Sequence, residues 1–122
     1  MRDKLRDETR LLHMLDAIHK IERFTSNVRQ EDFEADSILY FAIVKNLEII
    51  GEAAYKLTNE FRESHPHTPW KIIIGMRHCL VHGYYQISIE ETWNTIANDL
   101  TPLKTQITTY LTEFPPTDTD AT

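Results

Sequence analysis

The chain has 122 residues, 41% of them apolar and 26% charged, and a formal net charge of −6. That length builds one hydrophobic core and not two, so a single domain is expected. The acidic balance argues against a broad nucleic-acid-binding surface, because phosphate contacts normally leave a basic footprint; any site for RNA has to be local.

Only three glycines occur, and no stretch reads as strands separated by turn signals, which favours helices. No run approaches the roughly 20 apolar residues that a membrane crossing needs, and the Met1–Glu8 start lacks the apolar centre of a secretory signal. The single Cys79 cannot pair within the chain, which fits a reducing cytoplasm, the expected location.

A first helix is expected from about Lys4 to Phe24, with Leu11, Leu15, Ile18 and Ile21 at helical spacing. Its early cations Arg2, Lys4, Arg6 and Arg10 alternate with Asp3, Asp7 and Glu8 and read as a solvated face. Thr25-Ser26-Asn27 stops it. A second, long helix runs from Asp32 or Asp36 to about Phe61, apolar on more than one face as a central helix should be. His65-Pro66-His67-Thr68-Pro69 is a connector, because two prolines this close do not lie inside a helix. Thr68 as cap and Pro69 at the first helical position open a third helix, Trp70 to about Val81, with Gly83 as its stop. Ser88 and Glu91 have capping-box spacing and open a fourth helix carrying Ile89, Trp93, Ile96, Leu100, Leu103, Ile107 and Leu111, kinked at Pro102. Phe114-Pro115-Pro116 ends it. The expectation is an all-α, up-and-down four-helix bundle over residues 1–114 and a disordered tail over 115–122.

Proton-transfer and phosphate-binding groups appear abruptly at the end of the third helix, in Arg77-His78-Cys79-Leu80-Val81-His82-Gly83-Tyr84-Tyr85. Histidine titrates near neutral pH and serves as general base or acid, while arginine stays charged and grips phosphate with two donors. Together they suffice for metal-free RNA cleavage, His82 moving a proton and Arg77 stabilising the charge that grows on phosphorus. The same cations could instead only complement the helix dipole at its C-terminus. Five positions apart on an ideal helix, Arg77 and His82 point well away from each other, so they converge only if the helix end unwinds at Gly83 or a second chain completes the site. A dimeric cleft is therefore expected. His78, Cys79 and His82 lack a further carboxylate or cysteine to complete a metal set, so no metal is expected.

Gly51 inside the long helix points to a close helix approach, and Glu52 beside it either orients Arg77 (its own or that of a second copy) or is simply solvated. Trp70, Trp93, Tyr40 and Phe41 read as core or dimer-interface residues in preference to base-stacking platforms, and Tyr85 as an exposed loop residue.

The segment resembles the Arg-x4-His-x-Tyr signature of the HepT-like family within the HEPN superfamily, met here by Arg77, His82 and Tyr84. Leu15-Asp16-Ala17-Ile18, Ile50-Gly51-Glu52-Ala53-Ala54, Pro69-Trp70, Ile74-Gly75-Met76-Arg77 and the Trp93 to Leu100 spacing also resemble family landmarks in the same order, so the likeness covers about Leu11 to Leu111. The resemblance implies a homodimeric endoribonuclease toxin whose Arg-His pairs face each other, acting on cellular RNA without a cofactor. It further implies a MntA-type minimal nucleotidyltransferase antitoxin that attaches AMP to the motif tyrosine, here Tyr84. The residue after the motif arginine is often asparagine and here is His78, which leaves open how His78 and His82 divide the work. The competing expectation is a non-catalytic helical dimer that binds a nucleotidyltransferase partner or a nucleotide.

Overall fold

The computed structural model describes residues 2–81 and 89–115, and every regular element among them is an α-helix. In chain order these are α1 (Arg2–Thr25), α2 (Gln30–Ala35), α3 (Ser37–Lys56), α4 (Asn59–Ser64), α5 (Trp70–Val81), α6 (Ile89–Asn98) and α7 (Leu100–Leu111). The all-α class is as expected, but two of the four expected helices are broken, so seven are seen. Helix α3 is the hub, with α1 on one side and α5 on another. Helix α7 returns to α1, α6 leans on α7, and the short α2 bridges α3 and α6. No helix among the described residues is long and apolar enough to cross a membrane.

The core is made where helical stripes meet. Helix α1 contributes Leu11, Met14, Ile18 and Ile21, all fully buried, while Leu15 sits at the edge of the stripe. Helix α3 adds Ile43, Leu47, Ile50 and Ala54, and α7 adds Leu103, Ile107 and Tyr110. Each fully buried residue of leucine size contributes about 1.5–3 kcal/mol relative to exposure. Phe33 of α2 is also fully buried, with its ring 5.3 Å from Trp93 and 5.9 Å from Tyr40, and holds α2 and α6 together.

Of the two expected starts of the long second helix Asp36 is the one that opens it, and the helix is then interrupted once before Phe61, each time at a capping residue. Asp36 (φ −115°, ψ 97°) leaves helical conformation and accepts a hydrogen bond from the Leu39 amide at 3.0 Å, which starts α3. Leu57 and Thr58 are both extended (ψ 147° and 151°), and Thr58 Oγ1 accepts from the Phe61 amide at 3.1 Å to start α4. This break is held from α1. Asp7, almost fully buried, accepts from the Thr58 amide at 2.8 Å and from the Thr58 hydroxyl at 2.7 Å. Asp7 therefore does not belong to a solvated face.

Pro102 lies three residues into α7, and α6 ends at Asn98, the residue whose carbonyl a helical amide at position 102 would have reached. The expected disturbance is found as a one-residue interruption at Asp99, whose backbone stays in the helical region (φ −106°, ψ −25°). Thr68 does not turn its hydroxyl to the start of α5; it lies buried within 2.6 Å of both Gln106 Oε1 and Tyr110 Oη, tying the connector to α7. Pro69 supplies the first carbonyl of α5, accepting from Ile73 at 3.1 Å. Asn27, at φ 60°, ends α1 in the left-handed region that asparagine tolerates. Helix α7 stops at Leu111, and Phe114 folds back to stack on Phe61 at 6.3 Å. The Gly83 stop, the Ser88 cap and the tail from Pro116 onward lie outside the described residues.

Candidate functional site

Arg77 stands just before the last turn of α5, on the side that meets α3. The two helices pass very close there because of Gly51. A side-chain carbon at position 51 would lie 3.1 Å from the Ile73 carbonyl oxygen and 3.2 Å from Arg77 Cα, and nearer still to Arg77 Cβ. Only a residue without a side chain lets the backbone of α5 settle at this depth.

The next residue of α3 then takes hold of the arginine. Arg77 Nε donates to Glu52 Oε2, and Lys56 Nζ lies 3.3 Å from Glu52 Oε1. Burial pushes the Glu52 carboxyl up, but hydrogen bonds and positive charge from Arg77 and Lys56 outweigh it and hold the group below its ordinary value. Glu52 is therefore an anion at neutral pH. The guanidinium also lies over the Tyr55 ring, with Cζ 5.2 Å from the ring centre, a cation–π contact. Glu52, Tyr55 and Lys56 sit three and four positions apart and so share one face of α3. Arg77, with its side chain 27% exposed, is thus fixed on three sides yet open to solvent.

Of the two sequence readings of Glu52, the orienting one matches this geometry: it grips the arginine of its own chain. Tyr55 and Lys56 were not singled out from sequence, although adding three and four to position 52 points to both. His78 is exposed on the following helical position. His82 and Tyr84 lie outside the described residues, as do Gly83 and Tyr85. Among the described residues no three His, Cys, Asp or Glu side chains gather as metal ligands would. Trp70 is buried in the core, Trp93 and Tyr40 pack against it, and Phe41 is exposed.

A groove of about 280 Å³ opens beside this site between α1 and α3, with Glu52 and Lys56 in its wall. Arg10 of α1 lines it, together with His13, Lys45 and Glu48. Arg10 therefore faces a concave surface and not a solvated helix face.

Comparison with known proteins supplies the family. Residues 14–110 match the family model described as "Ribonuclease HepT-like". Over 89 residues the chain is 39% identical to the protein named "Probable ribonuclease HepT" of Thermococcus cleftensis, covering 73% of this chain and 81% of that one. It is 39% identical over 97 residues to "Putative RNase TTE0752" of Caldanaerobacter subterraneus, covering 80% and 87% respectively. A third relative, "Gamma-glutamylcyclotransferase and putative RNase MJ0434" of Methanocaldococcus jannaschii, is 36% identical over 104 residues; the match takes 85% of this chain but only 47% of that longer protein. No solved structure matches. The matched span runs from the α1 core to Tyr110 of α7 and contains Gly51, Glu52 and Arg77, so the chain belongs to the HepT-like family of ribonucleases.

Proposed function

We propose that this ribonuclease is the toxin half of a two-gene system, a metal-independent endoribonuclease that cuts cellular RNA with Arg77 and His82. The observation that carries the reading is the seating of Arg77, in which Gly51, Glu52 and Tyr55 fix a guanidinium that remains open to solvent. In the proposed reaction His82 takes the proton of the 2′-hydroxyl, whose oxygen attacks phosphorus as the 5′-oxygen leaves and is protonated in turn. Arg77 meets the non-bridging oxygens. Its Nε is committed to Glu52, so the fork of its two terminal nitrogens is the part that a phosphate would engage.

The proposed active form is a two-fold homodimer. On an ideal helix positions 77 and 82 would point apart within one chain, and Ile38, Phe41 and Tyr55 leave large apolar side chains exposed on α3 that a second copy would cover. The proposed regulator is a MntA-type nucleotidyltransferase. The Tyr84 hydroxyl would attack the α-phosphorus of ATP, releasing pyrophosphate, and the attached AMP would set a competing phosphate beside Arg77.

Purified, unmodified protein incubated with total RNA in EDTA should cleave it. Arg77→Ala and His82→Ala should each lower the rate on the order of a hundredfold or more while remaining helical dimers. Undiminished cleavage by Arg77→Ala would sink the mechanism, and no cleavage by the unmodified dimer would leave the non-catalytic reading. After coexpression with the nucleotidyltransferase, peptide mass spectrometry should find AMP on Tyr84; AMP confined to Tyr85 would contradict the assignment.

A further inference from the structure

The groove between α1 and α3 carries charge that the site around Arg77 does not use. Arg10, Lys45 and Lys56 place three cations in its wall against the two carboxylates Glu48 and Glu52, with His13 beside them, in a chain whose net charge is −6. Both carboxylates already have cationic neighbours: Lys45 lies 3.8 Å from Glu48, and Lys56 lies 3.3 Å from Glu52, which also holds Arg77. Arg10 is different. Its Nε is buried and makes no hydrogen bond. A buried donor without an acceptor disfavours the folded state, so it is expected where a ligand supplies the acceptor. Arg10 and His13 are three positions apart on α1, share one face of the helix and both line the groove.

We infer that this groove is a phosphate-binding subsite that holds the backbone of the RNA substrate next to Arg77, an inference that rests on the ribonuclease reading above. A guanidinium with an imidazole beside it suits the tetrahedral oxygens of a phosphodiester. Among the described residues no Phe, Tyr or Trp lines the groove and His13 is its one aromatic ring, so its lining favours the backbone over the bases. Glu52 is at once a wall of the groove and the partner of Arg77, so a strand held at Arg10 continues onto the cleavage site. A local subsite of this kind would let a protein of net charge −6 engage RNA without a broad basic surface.

The test is binding of a labelled, roughly twelve-nucleotide 2′-O-methyl RNA, which lacks the attacking hydroxyl, to the full chain at several salt concentrations. Arg10→Gln should weaken binding about tenfold and reduce the slope of log K against log salt by about 0.7, the loss of one phosphate contact on a single strand. Lys20→Gln removes the same charge about 15 Å further along α1 and should leave affinity and slope close to wild type. In the wild-type protein the Arg10 Nε–H resonance should shift on adding inorganic phosphate, and shift at lower concentration with the RNA. Unchanged affinity and slope in Arg10→Gln, or equal losses in Lys20→Gln, would overturn the subsite. AMP that moves the Arg10 resonance at lower concentration than the RNA does would reassign the groove to a nucleotide and overturn the RNA assignment. Because binding is read without cleavage, Arg10-dependent binding by a protein that cuts no RNA would sink the catalytic reading alone. Cleavage indifferent to Arg10 would sink only the groove.

Discussion

Replacing Gly51 by alanine sets two effects of opposite sign against each other. In a helix interior alanine is favoured over glycine by about 1 kcal/mol, which on propensity alone predicts a more stable protein. At this position, however, the new methyl would lie 3.1 Å from the Ile73 carbonyl oxygen and 3.2 Å from Arg77 Cα, and closer again to Arg77 Cβ. None of these atoms is the free end of a flexible side chain, so relief requires α5 to move off α3. Overpacking of this kind costs about 1–3 kcal/mol. With backbone on the opposing surface the upper half of that range applies, so the clash wins and the expected net loss is about 1–2 kcal/mol. For a slope of about 2 kcal/mol per molar urea, the unfolding midpoint should fall by about 0.5–1 M. The displacement carries Arg77 with it, and misplacing a catalytic group by about 1 Å costs up to about a hundredfold, so cleavage should drop about ten- to hundredfold. Urea denaturation at fixed protein concentration and a cleavage assay on the same preparation measure both. An alanine variant that is more stable than wild type and fully active would refute the claim that Gly51 sets the depth of α5.

Two further perturbations follow from the hydrogen bonds. The Glu52 carboxyl is held below its ordinary 4.5 in the folded protein, so it contributes stability that is present above that value and lost as pH falls through the folded one. The wild-type advantage over Glu52→Gln should therefore shrink as pH drops below 4.5, modestly because the side chain is 39% exposed; a gap that stays constant into acid would contradict the ion pair. Asp7→Ala removes the buried acceptor of both the Thr58 amide and the Thr58 hydroxyl and should cost about 1–3 kcal/mol in urea unfolding without changing kcat, since Asp7 lies outside the Arg77 site. Stability equal to wild type would show that water replaces Asp7 freely.

What could be read from sequence tracks what is local. The start of α5 was legible because Pro69 and the preceding polar residues mark it, and the pairing of Glu52 with Arg77 could be anticipated from a glycine and a charge at adjacent positions of an apolar helix. Asp36 was legible as one of two starts of the central helix, but the break at Thr58 was not, although Thr58 is an ordinary capping residue, because apolar spacing continues across it. What settles the break at Thr58 is Asp7, 51 positions away, and no local pattern reveals that contact. The same alternation of acids and bases that made the start of α1 look solvated concealed a buried Asp7 and an Arg10 turned into a groove. Pro102 was legible as a disturbance of one helix, and the one-residue interruption at Asp99 that divides α6 from α7 is that disturbance.

The return of α7 to α1 also governs when during synthesis the molecule can become a folded enzyme. Lys104 meets Glu22 at 3.1 Å across 82 positions of sequence, Ile107 fills the centre of the core, and Tyr110 and Gln106 hold Thr68 just ahead of α5. Helices α1 to α5 emerge from the ribosome first, with the apolar stripe that α7 covers still open to water, and the contacts that close it are among the longest in the chain. The helix that bears Arg77 is therefore made early but anchored late. A nascent chain long enough to display Arg77 still lacks the segment that completes its core, so a ribonuclease synthesised amid RNA does not assemble its finished fold until residues near position 110 have left the ribosome.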